Sequence, residues 1–116
     1  MLAGFVPRNR LFKYYQMSDV CCMPSLFDDM NMSILESVAC GLPIVATPNT
    51  GFPEIEKVGI QVPCRDSEAI AEALLTLLTD SDLAYKKSSN ANKIIKNYLW
   101  DRMALEFKRV YESKMN

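Results

Sequence analysis

Short apolar runs alternate with segments of helical length along most of this chain, and that alternation leaves few folds open to it. Residues 2–6 form the first run, stopped by Pro7. Residues 9–17 read as a helix with Leu11, Phe12 and Tyr15 on one face. Residues 19–23 are a second strand, ended by Pro24-Ser25. Residues 31–40 read as a helix closed by Gly41, a common C-terminal stop. Residues 43–47 are a third strand and residues 60–62 a fourth. Strands alternating with helices imply βα units, and hence a small parallel sheet of about four strands covered on both faces.

Three helices are expected to follow. Asp66 or Ser67 caps a segment carrying Ile70, Ala73, Leu74, Leu77 and Leu78, the stripe of an amphipathic helix. Ser81 is the expected cap of the next, which buries Leu83, Ile94, Ile95 and Tyr98. The last carries Trp100, Met103, Ala104, Phe107, Val110 and Tyr111 at helical spacing.

At 116 residues the chain is long enough for one core, so residues 1–116 are read as a single domain. Thirteen basic against fourteen acidic residues leave a net charge of −1, which gives no reason to expect nucleic acid as partner. No apolar run nears the roughly 20 residues of a membrane-spanning helix. The first residues lack the basic leader of a signal peptide, so a cytoplasmic location is expected. Histidine is absent, which removes the commonest general base. Cys21, Cys22, Cys40 and Cys64 form no CxxC pair, and Cys21 and Cys22 point to opposite faces of a strand. Buried reduced thiols are expected, and no metal site.

In a parallel α/β sheet, ligands bind beyond the carboxyl ends of the strands. Here those loops are residues 24–31 and 47–54. The first enters a helix whose leading N–H groups have no intrahelical partner, a seat for a diphosphate. Glu36, about one turn inside, is able to accept two hydrogen bonds from a vicinal diol such as a ribose. Asp28 is placed to accept from a sugar hydroxyl. A purely structural reading stands beside this one: Asp28 and Asp29 oppose the helix dipole, and Glu36 is a solvated helix residue. The turn Gly51-Phe52-Pro53-Glu54 also has a structural reading, glycine for a positive φ and proline to start a short helical turn.

The stretch Ser18-Asp19-Val20-Cys21-Cys22-Met23-Pro24-Ser25-Leu26-Phe27-Asp28 is followed by Ile34-Leu35-Glu36-Ser37-Val38-Ala39-Cys40-Gly41-Leu42-Pro43-Ile44-Val45-Ala46-Thr47. Together they resemble the retaining, family-4-type glycosyltransferases of the GT-B fold. Thr50-Gly51-Phe52-Pro53-Glu54 resembles the next turn of that family, and Gly59-Ile60-Gln61-Val62-Pro63 with Asp66 its continuation. Gly4-Phe5-Val6-Pro7, Leu99-Trp100 and Tyr111-Glu112 extend the likeness over nearly the whole chain.

The resemblance implies the donor-binding, C-terminal half of such an enzyme: a Rossmann-like three-layer α/β/α domain that holds a nucleotide-diphosphate sugar as substrate. The family's paired acids fall on Asp28 and Glu36. Asp28 would touch the transferred sugar near the reacting face and Glu36 would hold the ribose. Met30, Asn31, Met32 and Ser33 would offer backbone amides to sugar and diphosphate. Gly51 would pass near the nucleotide, with Thr47 close by.

The chain departs from the family at three places. Asp28 is one methylene shorter than the family's glutamate. Asp29 and Asn31 replace glycines, and their side chains are expected to crowd the donor. The resemblance further implies that the family's first two strands, their Arg…Lys pair and the acceptor domain are missing, so the chain would be inactive alone. A partner chain or a longer chain would supply them, and a homo-oligomer through an exposed sheet edge is a further expectation. A non-catalytic remnant or interaction module that keeps the fold is the competing reading. A nucleotide-sugar epimerase of similar architecture is a third, and the basic and histidine residues it would use are not evident.

Overall fold

In the computed structural model, which describes residues 2–115, the chain runs α1 (Arg8–Met17), β1 (Cys21–Met23), α2 (Met32–Ala39), β2 (Ile44–Ala46), α3 (Ile55–Val58), β3 (Gly59–Gln61), α4 (Ser67–Thr79), α5 (Ser81–Ile94) and α6 (Trp100–Met115). Single 3₁₀ turns at Pro48–Thr50 and Ile95–Tyr98 lie between these elements. The strands form one parallel sheet in the order β1-β2-β3, with Cys21 opposite Ile44 and Ile44 opposite Gly59. β2 is buried at every residue, as a central strand covered on both faces must be.

Side-chain alternation sorts the core into two layers. Ile44 and Ala46 point to one face, with Cys21 and Met23 beside them, and meet Ile34 and Val38 of α2, Ile55 and Val58 of α3, and Ala91 and Ile94 of α5. Val45 points to the other face, with Cys22 and Ile60, and meets Ala73 and Leu77 of α4. The result is the expected three-layer α/β/α arrangement, with Cys21 and Cys22 divided between the faces. All four cysteines are free and half-buried rather than fully buried.

Local chemistry sets the helix ends. The Asp66 carboxylate accepts from the Ala69 amide at 2.9 Å and caps α4. The cap of α5 is Asp80, not Ser81, which is already inside the helix. Asp80 serves two helices at once: its amide donates to the Thr76 carbonyl at 2.9 Å and its carboxylate accepts from the Leu83 amide at 2.9 Å. A charged oxygen also opposes the helix dipole, which a serine hydroxyl does not.

Three expectations change. Residues 2–6 form no strand: Gly4 takes φ +66°, which breaks an extended run, and Leu2 and Phe5 lie in solvent. The sheet therefore has three strands rather than four. Phe12 and Leu78, expected on inward faces, are exposed. The whole apolar stripe of α6 is exposed as well, with Trp100 at 85% and Phe107 at 58%. Helical spacing reveals that a stripe exists but not what covers it. Among the described elements α6 meets chiefly the 3₁₀ turn before it, and the molecule is drawn out to 53 × 31 × 28 Å.

Candidate functional site

Because β1 and β2 are parallel neighbours, the loops that leave their carboxyl ends lie side by side. Several hydrogen bonds join them. The Thr47 hydroxyl donates to the Ser25 carbonyl at 2.5 Å and the Asn49 side chain to the Leu26 carbonyl at 2.6 Å. The Asn31 amide donates to the Thr50 carbonyl at 3.1 Å. The closest approach is at Gly51, where φ is +73° and a Cβ would stand 1.1 Å from the Asp29 carbonyl oxygen. Only a residue without a side chain fits there.

Below this contact the second loop is anchored in the core. Phe52 is buried and lies 5.4 Å from the Tyr98 ring. The Tyr98 hydroxyl donates to Glu54 at 2.9 Å, and Lys57 pairs with the same carboxylate at 3.0 Å. Lys57, and then Tyr98, hold the Glu54 carboxyl below its ordinary range against the opposing effect of burial. Burial, and then Glu54, push the Tyr98 phenol up to about 12.

The candidate residues gather at the mouth of α2. The half-buried Asp28 accepts from the Asp29 amide at 2.9 Å and from the Asn31 side chain at 2.8 Å. The other end of the Asn31 side chain accepts from the Ile34 amide at 3.3 Å and caps α2. Asn31 was expected to crowd the mouth. It lies along the loop instead, joining Asp28 to the first turn of the helix. Asp29 and Met30 are exposed. Among the described residues the amides of Met32 and Ser33 have no protein partner, so the helix offers two free donors.

Glu36 is half-exposed, one turn further in, and accepts from the Tyr15 hydroxyl of α1 at 3.1 Å. Tyr15 therefore joins the group, although its position in an ordinary amphipathic stripe gives no sign of that. Thr47 is fully buried and its hydroxyl is taken by Ser25, so its side chain braces the loop. Neither loop contains lysine or arginine, while Asp28, Asp29 and Glu54 are acidic. A shallow depression lined by Asp19, Gly41 and Pro43 lies at the opposite end of the strands from the two loops, and Tyr15 forms part of its wall. No helix among the described residues is long and apolar enough to cross a membrane.

A parallel three-layer sheet with interlocked loops above the carboxyl ends of its strands defines a Rossmann-like fragment. The description "Glycosyl transferases group 1" matches residues 1–80, and the chain belongs to that family. An uncharacterised glycosyltransferase of Methanocaldococcus jannaschii is 33% identical over 116 residues, covering 97% of this chain and 30% of its own. A D-inositol 3-phosphate glycosyltransferase of Corynebacterium urealyticum is 33% identical over 110 residues, covering 92% of this chain and 26% of its own. In three dimensions, sucrose-phosphate synthase from Thermosynechococcus elongatus superposes with a TM-score of 0.83 at 26% identity, over 99% of this chain and 30% of that one. The chain thus spans less than a third of these proteins.

Proposed function

We propose that the chain is the donor-binding portion of a retaining, family-4-type glycosyltransferase, and that its ligand is a nucleotide-diphosphate sugar. The observation that carries this reading is the mouth of α2, where the free Met32 and Ser33 amides sit between two carboxylates held in place, Asp28 and Glu36. Donors at a helix N-terminus attract a diphosphate through hydrogen bonds and the helix dipole together. Glu36 keeps one carboxylate oxygen free of Tyr15, enough to take a ribose diol. Asp28, tied at both oxygens, is an acceptor of fixed direction for a sugar hydroxyl. Met30, Asn31 and Gly51 complete the rim.

Transfer of the sugar leaves a nucleoside diphosphate, whose developing charge needs cations or other strong donors. The two loops supply none of the cations; on this reading they come from the remainder of a longer chain or from a partner chain. The chain alone is therefore expected to bind donor without transferring it. The test is a titration with UDP-, GDP- and ADP-sugars followed by amide shifts. Saturable shifts at Met32, Ser33 and Glu36 with one of them, and slow or absent turnover, are the expected result.

One observation favours a second reading. Asp29 is exposed at the mouth and adds a charge that repels a diphosphate. On that reading the chain is a remnant that keeps the fold for interaction. Absence of any shift at millimolar donor would establish it over the first.

A further inference from the structure

The bond that holds Glu36 in the seat comes from outside both loops, from Tyr15 of α1. A glutamate on a helix surface has several rotamers, and fixing one opposes side-chain entropy. Two observations bear on this. The Tyr15 hydroxyl donates to one Glu36 oxygen, Oε2, at 3.1 Å. The Ser33 side chain faces the same hydroxyl. Ser33 and Glu36 are three residues apart, hence neighbours on one side of α2. A single phenol from α1 therefore bonds one residue of the proposed donor seat and faces another, although it belongs to neither loop.

We propose that Tyr15 is a positioning residue: it fixes the Glu36 carboxylate so that the second oxygen faces the vicinal diol of the donor ribose. This rests on the reading of Glu36 as the ribose acceptor. The phenol suits the task chemically. It has one proton to give and gives it to Oε2, leaving Oε1 and the remaining lone pairs for the diol. Burial, with Glu36 acting in the same direction and Ser33 against it, pushes its pKa up to about 12, so it remains a donor at any working pH. A phenylalanine would fill the same space and keep the packing of α1, but would leave Glu36 free to turn.

The sensitive readout is the preference for ribose over 2′-deoxyribose, because a loss of general stability does not change that ratio. Dissociation constants are measured for UDP, GDP and ADP and for their 2′-deoxy forms, with the wild-type chain, Tyr15→Phe and Glu36→Gln. The wild type is expected to prefer the best-bound ribonucleotide about tenfold or more, the scale of one hydrogen bond to a charged group. Tyr15→Phe should bring the ratio to below about threefold while leaving the affinity for the deoxy form unchanged. Glu36→Gln should behave similarly.

A ratio that collapses in Glu36→Gln and persists in Tyr15→Phe would overturn the proposal while the ribose seat stands. A wild type without preference would remove the seat, and the proposal with it. Tighter ribonucleotide binding by Tyr15→Phe would mean that Tyr15 competes with the diol, which also overturns it. The wild-type chain gives an independent answer should the variant fail to fold. Its Tyr15 Cζ resonance should move with the ribonucleotide and stay still with the deoxy form, and a resonance blind to both refutes the role.

Discussion

At the scale of single residues, Gly51 carries the most specific requirement. Its positive φ and the Asp29 carbonyl beside it exclude any Cβ. The left-handed conformation alone costs an L-residue about 1–2 kcal/mol, and displacing a backbone carbonyl adds to that. Gly51→Ala should therefore lose more than about 2 kcal/mol in urea unfolding. Its amide spectrum should change at Asp29 and Met30 as well as near residue 51.

The titrating groups give a second expectation at this scale. The Tyr15 and Tyr98 phenols are both raised to about 12 from an ordinary 10.0. A raised value means the folded state holds the proton more tightly. Their stabilisation is complete below pH 10 and fades as pH rises toward 12. Glu54 is shifted the other way, so its contribution is present above its ordinary 4.5 and is lost as pH falls below that. Denaturation midpoints measured across pH should decline at both ends, and Tyr98→Phe should make both limbs shallower without removing them, because Lys57 still acts on Glu54 and Tyr15 still titrates late.

The candidate residues themselves were readable in part. Asp28, Asn31 and Glu36 could be placed at a helix mouth from a motif and from the strand-to-helix rule. Tyr15 could not, because its partner lies 21 residues away and nothing in local spacing reports a contact of that range. Nor could the burial of Thr47, whose fate depends on where the Ser25 carbonyl falls.

At the scale of elements, Asp80 is where α4 ends and α5 begins, its amide serving the first and its carboxylate the second. Asp80→Ala removes the side-chain acceptor and keeps the amide bond to Thr76. The expected loss is about 1 kcal/mol, read as a fall in Tm of about 4 °C. Asp80→Asn should recover most of it, since asparagine caps equally well. The helices were legible because amphipathic periodicity and capping residues are local signals. The strands were legible as apolar runs, with edges off by a residue or two. Residues 2–6 misled because an apolar run becomes a strand only where another strand offers its hydrogen bonds, and Gly4 with its left-handed φ lies within it.

For the molecule as a whole, the two-sided core gathers around β2, and α6 stands apart from it. A helix of 16 residues with little tertiary packing is marginal in water. Amides of α6 should therefore exchange much faster than those of α2 or β2 in a hydrogen-exchange experiment. Trp100, the one tryptophan, should be freely quenched by acrylamide. Strong protection of Trp100 at high protein concentration would show that copies cover the stripe. Architecture followed from strand–helix alternation, whereas the uncovered stripe did not, since amphipathicity is the same whether the partner is present or absent.

The fit of Gly51 against the neighbouring loop separates two kinds of constraint. A descendant that had ceased to use sugar donors would still be bound to glycine at this place for as long as it folded. The same descendant could shed Glu36 without opening a hole in its interior. On the proposed donor reading, a screen for working members among such chains should therefore ask about the acid on α2, and give the glycine no weight.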